Sequence, residues 1–289
     1  MLFRSMKQRI LFLLFCIFFV LPVCVQAAQK PKVLISVAPY EAVCRDLAGD
    51  AIQIELLVPA GFSSHTYEPT PKQVIACREA DIWFTIGELF EEKMKAVLAK
   101  ENPNLLIVDL RQGLDLLHEH SCAHHAHHDT KMAKDTDPHI WMSPKMMQKQ
   151  AQEIAKALQK KGVEPKLEST LAKLATLDRQ IHEILKDKKN KRILVSHPAY
   201  GYFCRDYDLQ QVEIEFEGKD PATRQIFDLI QQAKTDHIHT IFIQPQYSSK
   251  AASAIASQIE ASLVMLNPYA ANYYDNMLDI ATAFALGAT

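Results

Sequence analysis

The sequence lacks the features on which several classes of protein depend. Its six cysteines are widely spaced and include no Cys-x-x-Cys pair, which argues against a dense disulfide framework or a zinc ribbon. The formal charge is −2 and no basic stripe with interleaved aromatic residues is present, so nucleic acid is not expected as a partner. A Gly-rich phosphate loop, a Gly-x-Ser-x-Gly elbow and a His-Glu-x-x-His pair are also absent, which excludes those catalytic templates.

The N-terminal segment is typical of a signal peptide rather than of a folded element. Basic residues precede the uninterrupted apolar run ILFLLFCIFFVLPV, and the small-residue site VQA precedes Ala28. We therefore expect residues 1–27 to be removed on export to the periplasm. A retained membrane anchor is the alternative, and lipidation at Cys24 is disfavoured because LPV lacks the small residue of a lipoprotein signal. Beyond residue 28 no apolar stretch is long enough to cross a bilayer, so we expect a soluble mature protein.

Short β-rich runs alternate with helical patterns in the mature chain. Four such runs come first (KVLISVA, IQIELLV, DIWFTI and NLLIVDL) and four come later (RILVSH, QVEIEF, IHTIFIQ and SLVMLN). This alternation predicts two α/β lobes with parallel sheets. Leucine and isoleucine residues at helical spacing between the lobes predict one long, rigid linking helix. We place the N-terminal lobe at 28–165, the linking helix at 166–190 and the C-terminal lobe at 191–289.

Three isolated histidines stand where open α/β sheets bind ligands, beyond the carboxyl ends of strands. His65 follows the second predicted strand, His139 lies on the way out of the first sheet, and His197 follows the fifth strand. Any one of them alone is more typical of an exposed or hydrogen-bonded loop residue. Together they are expected to converge between the lobes, where three imidazoles suit Zn²⁺ and leave a fourth position for another group.

Six segments of the chain carry a resemblance to a known family. They are VLISVAPYEAVCRDLAGD, LLVPAGFSSHTYEPTPKQV, ADIWFTIGELFE, DPHIWMSP, SHPAYGYFCRDYDL and IFIQPQYSSKAASAIA, in order over essentially the whole mature chain. They resemble the zinc/manganese solute-binding proteins of metal ABC importers. The resemblance implies two four-stranded α/β lobes joined by one long helix, with the metal in the interlobe cleft. It also implies a receptor rather than an enzyme, a monomer that delivers Zn²⁺ to ABC permease transmembrane subunits driven by a cytoplasmic ATPase.

The resemblance carries the first three metal-ligand positions of the family onto His65, His139 and His197, and His at the third position is typical of zinc members. Two departures leave the fourth ligand open: Asn267 stands where many members have Asp, and Gln244 stands where Glu is common. Asn267 is either a neutral fourth ligand or the cap of the turn that follows it, and water or a neighbouring Glu are the other candidates. With neutral ligands only, we expect an uncompensated metal charge and a preference for zinc over manganese.

Half of the twelve histidines lie in one segment, 117–136, before His139. They are His118, His120, His124, His125, His127 and His128. The segment has no hydrophobic periodicity and no fixed ligand spacing, so we expect it to bind metal weakly and in several geometries. It is similar to the His-rich loop of zinc-type family members, which implies an auxiliary capture or reservoir role. A solvated loop without function is the alternative.

Three other functions remain open. A manganese or iron receptor of the same architecture fits, because ligand preference alone does not exclude Mn²⁺ or Fe²⁺ in a cell. A secreted zinc hydrolase also fits three histidines with an open position, and Glu68 and Asp137 are the nearest candidates for its general base. A surface adhesin is the third.

Overall fold

The computed structural model describes residues 29–118, 136–215 and 221–288. The described residues from 31 onwards form one compact unit. The predicted signal peptide, and every histidine of the His-rich segment except His118, lie outside the described residues. Within those three ranges, no helix combines the length and the apolar character needed to cross a membrane.

The described residues contain eight strands in two sheets. In chain order the strands are β1 (Lys32–Ile35), β2 (Gln53–Leu56), β3 (Ile82–Thr85), β4 (Leu106–Asp109), β5 (Arg192–Val195), β6 (Gln210–Glu213), β7 (Thr240–Ile243) and β8 (Ser262–Met265). The first sheet has the order β2-β1-β3-β4 and the second has the order β6-β5-β7-β8. Every neighbouring pair is parallel. The predicted α/β fold with a four-stranded sheet in each lobe is therefore confirmed.

Helices connect the strands in both sheets. They are α1 (Pro39–Ala48), α2 (Pro71–Ala76), α3 (Leu89–Glu101), α4 (Pro144–Lys160), α5 (Leu167–Leu185), α6 (Gly201–Asp206), α7 (Thr223–Thr235), α8 (Lys250–Ile259) and α9 (Tyr273–Gly287). Short 3₁₀ turns lie at Gly49–Ala51, Cys77–Glu79 and Ile140–Met142. Parallel strands need such crossovers because consecutive strands must return to the same edge of the sheet.

Helix α5 is the long helix between the two sheets. It begins at Leu167, shortly after Pro165, and ends at Leu185, before the charged sequence KDKKNK. One face of the helix is buried and packs against α4 and α9, through Thr170, Leu174, Leu177, Ile181 and Leu185. The apolar residues that recur at helical spacing in the sequence therefore form the face of α5 that packs against the core.

One apolar core extends through both sheets. Ile35 of β1, Phe242 of β7 and Leu177 of α5 belong to the same cluster of buried side chains. Because a close-packed core resists displacement of its parts, the loops at the carboxyl ends of the two sheets are held in a fixed relation. Those loops carry the site described below.

The described cysteines are packing residues. Cys44, Cys77 and Cys204 are buried free thiols. Burial raises the pKa of Cys44 to about 12 and that of Cys77 to about 11, so neither forms a thiolate near neutral pH. They behave as small apolar side chains.

Candidate metal centre

Three loops bring His65, His139 and His197 to one place. His65 lies in the loop after β2, His139 precedes the 3₁₀ turn Ile140–Met142, and His197 follows β5. The three ring centroids lie 5.0, 5.2 and 5.5 Å apart. One nitrogen atom of each ring lies within 4.8 Å of the other two, a spacing at which three side chains can hold a single metal ion. Two of the histidines come from the first sheet and one comes from the second, so the cluster joins the two lobes.

The nitrogens that face each other are Nε2 atoms. Those of His65 and His139 lie 3.3 Å apart. The Nε2 atom of His197 is buried and has no hydrogen-bond partner among the described residues. Burial lowers the pKa of His197 well below the ordinary value, and positive charge on His139 or His65 would lower it further. His197 is therefore neutral near pH 7, which is the form that binds metal.

Each imidazole turns its other nitrogen, Nδ1, to a carboxylate oxygen. The pairs are His65 with Glu88 (3.1 Å), His139 with Asp137 (2.7 Å) and His197 with Glu215 (2.6 Å). A carboxylate can only accept a hydrogen bond, so the proton of each neutral ring resides on Nδ1 and the lone pair on Nε2. This arrangement orients a histidine ligand and raises its basicity.

The three carboxylates correct the expectation that a bound metal would be left uncompensated. Each imidazole is hydrogen-bonded to a carboxylate that carries negative charge, from Glu88, Asp137 or Glu215. Sequence reasoning missed Glu88 and Glu215, and it noted Asp137 only as a general base. Glu88 follows β3 and Glu215 follows β6, so the carboxyl-edge rule that selected the histidines could also have selected these two residues.

A second buried carboxylate fixes the position of Glu88. Glu91 accepts hydrogen bonds from the backbone N–H groups of residues 86–88, at 2.7 to 3.1 Å, and from the hydroxyl of Ser36 at 2.5 Å. Burial raises the pKa of Glu88, but its hydrogen bond and charge interaction with His65 outweigh burial and hold that pKa below the ordinary value. Glu88 is therefore an anion held in place by a rigid loop.

The second lobe supports Asp137. Its Oδ1 atom accepts both the backbone N–H and the Nδ1–H of His139, and its backbone carbonyl accepts the hydroxyl of Tyr202 at 2.8 Å. The other carboxylate oxygen, Oδ2, lies 2.9 Å from the place where a Cβ atom on Gly201 would stand. A residue larger than glycine at the start of α6 would therefore press on the carboxylate that orients His139.

Two tyrosines from the second lobe contact the histidines, and sequence reasoning missed both. The ring of Tyr247 stacks on His197, with 3.9 Å between centroids and 15° between planes, and its hydroxyl lies 3.0 Å from the Oγ atom of Ser63. The hydroxyl oxygen of Tyr269 lies 3.4 Å from Nε2 of His139. Tyr247 follows β7 and Tyr269 follows β8, so both lie at the same carboxyl edge.

Asn267 occupies the turn after β8. Its Oδ1 atom accepts hydrogen bonds from the backbone N–H of Tyr269 at 3.1 Å and from Nε2 of Gln246 at 2.7 Å. These contacts match the turn-capping alternative of the two roles considered for this residue. Gln244 is also structural, because its amide donates to the backbone carbonyl of His197 at 3.1 Å.

The His-rich segment leaves the fold close to the site. His118 and Thr136 form an antiparallel bridge, and the backbone N–H of Asp137 donates to the carbonyl of Leu117 at 2.9 Å. The segment therefore departs and returns beside Asp137, two residues before His139.

Comparison with known proteins agrees with this geometry. Residues 33–287 match the family model described as "ZnuA: Zinc-uptake complex component A periplasmic". A putative metal-binding protein of Chlamydia muridarum is 29% identical over 265 residues, covering 89% of this chain and 91% of the relative. The high-affinity zinc uptake system protein ZnuA of Bacillus subtilis is 27% identical over 252 residues, or 83% and 78% of the two chains. A crystal structure of a ZnuA deletion mutant with zinc bound is similar with a TM-score of 0.79 and 31% identity, covering 90% and 99% of the chains.

Proposed function

The chain belongs to the ZnuA family of periplasmic zinc-uptake components, and we propose that it is the receptor that binds Zn²⁺ for import. The observation that carries the proposal is the group of three imidazoles whose ligand nitrogens lie within 4.8 Å of one another. The relative in Bacillus subtilis is named for high-affinity zinc uptake, and the similar ZnuA deletion mutant was solved with zinc bound. Zinc is the cargo of this site.

In this proposal His65, His139 and His197 bind the ion through Nε2, at the 2.0 to 2.1 Å typical of zinc–imidazole bonds. The Nε2 lone pairs of His65 and His139 face each other across 3.3 Å and repel each other. A cation bound between them removes that repulsion. The outer carboxylates keep the lone pairs on Nε2 and supply the negative charge that a buried divalent ion requires. Mn²⁺ and Fe²⁺ are the competing cargoes, and imidazole donors favour zinc over both.

The partners follow from the family. We propose that the loaded receptor acts in the periplasm as a monomer and docks on the transmembrane subunits of an ABC permease, whose cytoplasmic ATPase drives import. The family description as a component of a periplasmic uptake complex and the signal-like segment 1–27 support this assignment.

A hydrolytic reaction is less well supported by the positions of the candidate bases. Glu68 is three-quarters exposed and pairs with Lys93 at 2.6 Å. Asp137 is committed to two hydrogen bonds with His139. A metal-bound water would need a free base within hydrogen-bond reach, and neither carboxylate is placed for that role.

We propose that the His-rich segment 117–136 is an auxiliary loop that binds further zinc weakly. Its support is the density of six histidines together with the departure of the segment beside Asp137. A loop without fixed ligand geometry cannot match the preorganised cluster in affinity.

The test is elemental analysis and native mass spectrometry of the protein purified from its own compartment. We expect one tightly held zinc per chain. A variant in which residues 119–135 are replaced by a short Gly-Ser linker should keep that equivalent and lose only weaker ones. Manganese or iron in the tight site would contradict zinc as the cargo. Loss of the tight zinc in the linker variant would show that the main site lies in the His-rich segment.

A further inference from the structure

Three imidazoles leave one coordination position of a tetrahedral zinc ion, and Asn267 is engaged in a turn. Resting on the proposed function, we propose that the phenolic oxygen of Tyr269 is the fourth ligand of the metal. Tyr269 would then complete the site from the second lobe, opposite the loops that carry His65 and His139.

The first argument is distance. Two ligand atoms bound at about 2.0 to 2.1 Å with a tetrahedral angle between them lie about 3.3 to 3.4 Å apart. The Nε2 atoms of His65 and His139 are 3.3 Å apart, and Tyr269 Oη is 3.4 Å from Nε2 of His139. Both separations therefore have the length of an edge of a zinc tetrahedron.

The second argument is the direction of the hydrogen bonds. Ser64 has one proton, and its hydroxyl donates that proton to Oε1 of Glu88 at 2.5 Å. The hydroxyl of Tyr269 lies 3.0 Å from that of Ser64 and also bonds the hydroxyl of Tyr247, so its single proton has acceptors other than His139. The proton of His139 is directed to Asp137. With the phenolic proton on Ser64 or Tyr247, Tyr269 Oη and His139 Nε2 face each other with lone pairs, and a cation is what such a pair of acceptors can bind.

The third argument is rigidity. Tyr269 is only 8% exposed, and its ring packs against Trp141 with 5.3 Å between centroids. The indole N–H of Trp141 donates to the carbonyl of Pro268 at 2.9 Å, and Asn267 accepts the backbone N–H of Tyr269. The hydroxyl is thus held in place before any ion arrives, which lowers the cost of binding.

Tyr207 provides a matched comparison outside the cleft. It is buried, and its hydroxyl donates to the carboxylate of Asp178 on α5 at 2.9 Å. Tyr247 is unsuitable as a control because its ring stacks on His197 and its hydroxyl bonds that of Tyr269. Removal of the Tyr207 hydroxyl therefore controls for the loss of a buried tyrosine hydrogen bond.

The experiment compares Tyr269→Phe with Tyr207→Phe in the full mature chain, with zinc affinity from chelator competition and with Co²⁺ as a spectroscopic probe. Phenylalanine keeps the packing on Trp141 and removes only the oxygen. We expect Tyr269→Phe to weaken zinc binding by about 10- to 100-fold and to change the visible spectrum of bound Co²⁺, because a ligand is lost. Tyr207→Phe should leave both the cobalt spectrum and the zinc affinity of the wild type unchanged.

A wild-type cobalt spectrum in Tyr269→Phe, or a loss of affinity no greater than in Tyr207→Phe, would overturn the proposal. A crystal structure of the zinc-loaded wild type tests it even if the variant does not fold: Tyr269 Oη should lie within the roughly 2.0 to 2.2 Å of a zinc–oxygen bond. Water in that position would refute the assignment. His139→Ala tests the proposed function separately from this inference. In a zinc receptor it should abolish tight zinc binding whether or not Tyr269 is a ligand.

Discussion

The carboxylate of Asp137 holds His139 at two points, the backbone N–H at 2.9 Å and the ring Nδ1 at 2.7 Å, and so fixes both the position of the residue and its tautomer. Glu88 and Glu215 have a similar role, because each forms a hydrogen bond with the ring of one histidine, His65 and His197 respectively. The proposed site therefore has two layers: the imidazoles that would bind the ion, and the anions that orient the imidazoles. The first two predictions concern these carboxylates, whose role differs from that of the histidines.

Glu215→Gln should weaken zinc binding without changing its stoichiometry. A neutral amide can replace the 2.6 Å hydrogen bond to His197 but not the charge that makes the ring more basic. We expect a loss of about 10- to 100-fold in affinity, measured by chelator competition. Glu183→Gln, which removes a charge at a site 72% exposed on α5, is the control and should bind as the wild type does. Equal affinities in all three proteins would show that Glu215 does not tune its histidine.

Gly201→Ala should weaken zinc binding through Asp137. The new methyl group would stand 2.9 Å from Oδ2 of Asp137 and 3.3 Å from Cδ1 of Leu117, so the carboxylate must move and His139 with it. We expect a loss of about tenfold, similar to that of other outer-shell changes. In an Asp137→Ala background the same substitution should have no further effect, because the group it displaces is gone. Additive losses would mean that Gly201 acts elsewhere.

The positions of the strands and of the histidines could be predicted from the sequence for one physical reason. Parallel strands that are buried on both faces have short, continuous apolar sequences, as in Ile82–Thr85. Ligand-binding side chains in such folds lie just beyond the carboxyl ends of the strands. Glu88, Glu215 and Tyr269 also follow strands, but polar loop residues usually face solvent, and no local sequence feature distinguishes these three. Tyr269 meets His139 across 130 residues of chain, and that contact exists only after both sheets have packed.

Acid should destabilise the metal-free protein through His197. Burial lowers its pKa in the folded state, whereas the unfolded chain takes up a proton near pH 6.5. The unfolded state therefore binds more protons below that pH, so this contribution is present above about pH 6.5 and is lost as the pH falls towards the folded pKa. Between about pH 7 and 5 the Glu88 carboxyl is charged in both states and contributes little.

The measurement is urea unfolding of the metal-free protein at pH 7 and at pH 5. Burial raises the pKa of Glu91 to about 7, so this carboxyl opposes the effect of His197 over the same range. The change from pH 7 to pH 5 should therefore be less unfavourable in His197→Gln than in the wild type, because Glu91 titrates in both proteins and His197 only in the wild type. An equally or more unfavourable change in the variant would contradict the assignment. Zinc affinity should decline over the same range, since protons and zinc compete for neutral imidazole.

Asn267→Asp should leave zinc and manganese affinities and their ratio unchanged. Aspartate presents the same acceptor to the backbone N–H of Tyr269 and to Gln246, so the turn is kept. Asn267→Ala should lower the free energy of unfolding by about 1 to 3 kcal/mol, because two partly buried donors lose their acceptor. A selective gain of manganese affinity in the aspartate variant would instead place position 267 in the coordination shell.

The central claim is that His65, His139 and His197 hold one zinc ion, and chelator competition on the three single alanine variants tests it most directly. His182→Ala, at a site 58% exposed on α5, is the matched control for the loss of a histidine. The wild type and His182→Ala should bind one zinc tightly, while each site variant, folded by circular dichroism, should lose more than about 100-fold in affinity, beyond the usual range for outer-shell changes. Wild-type affinity in all three site variants would contradict the account.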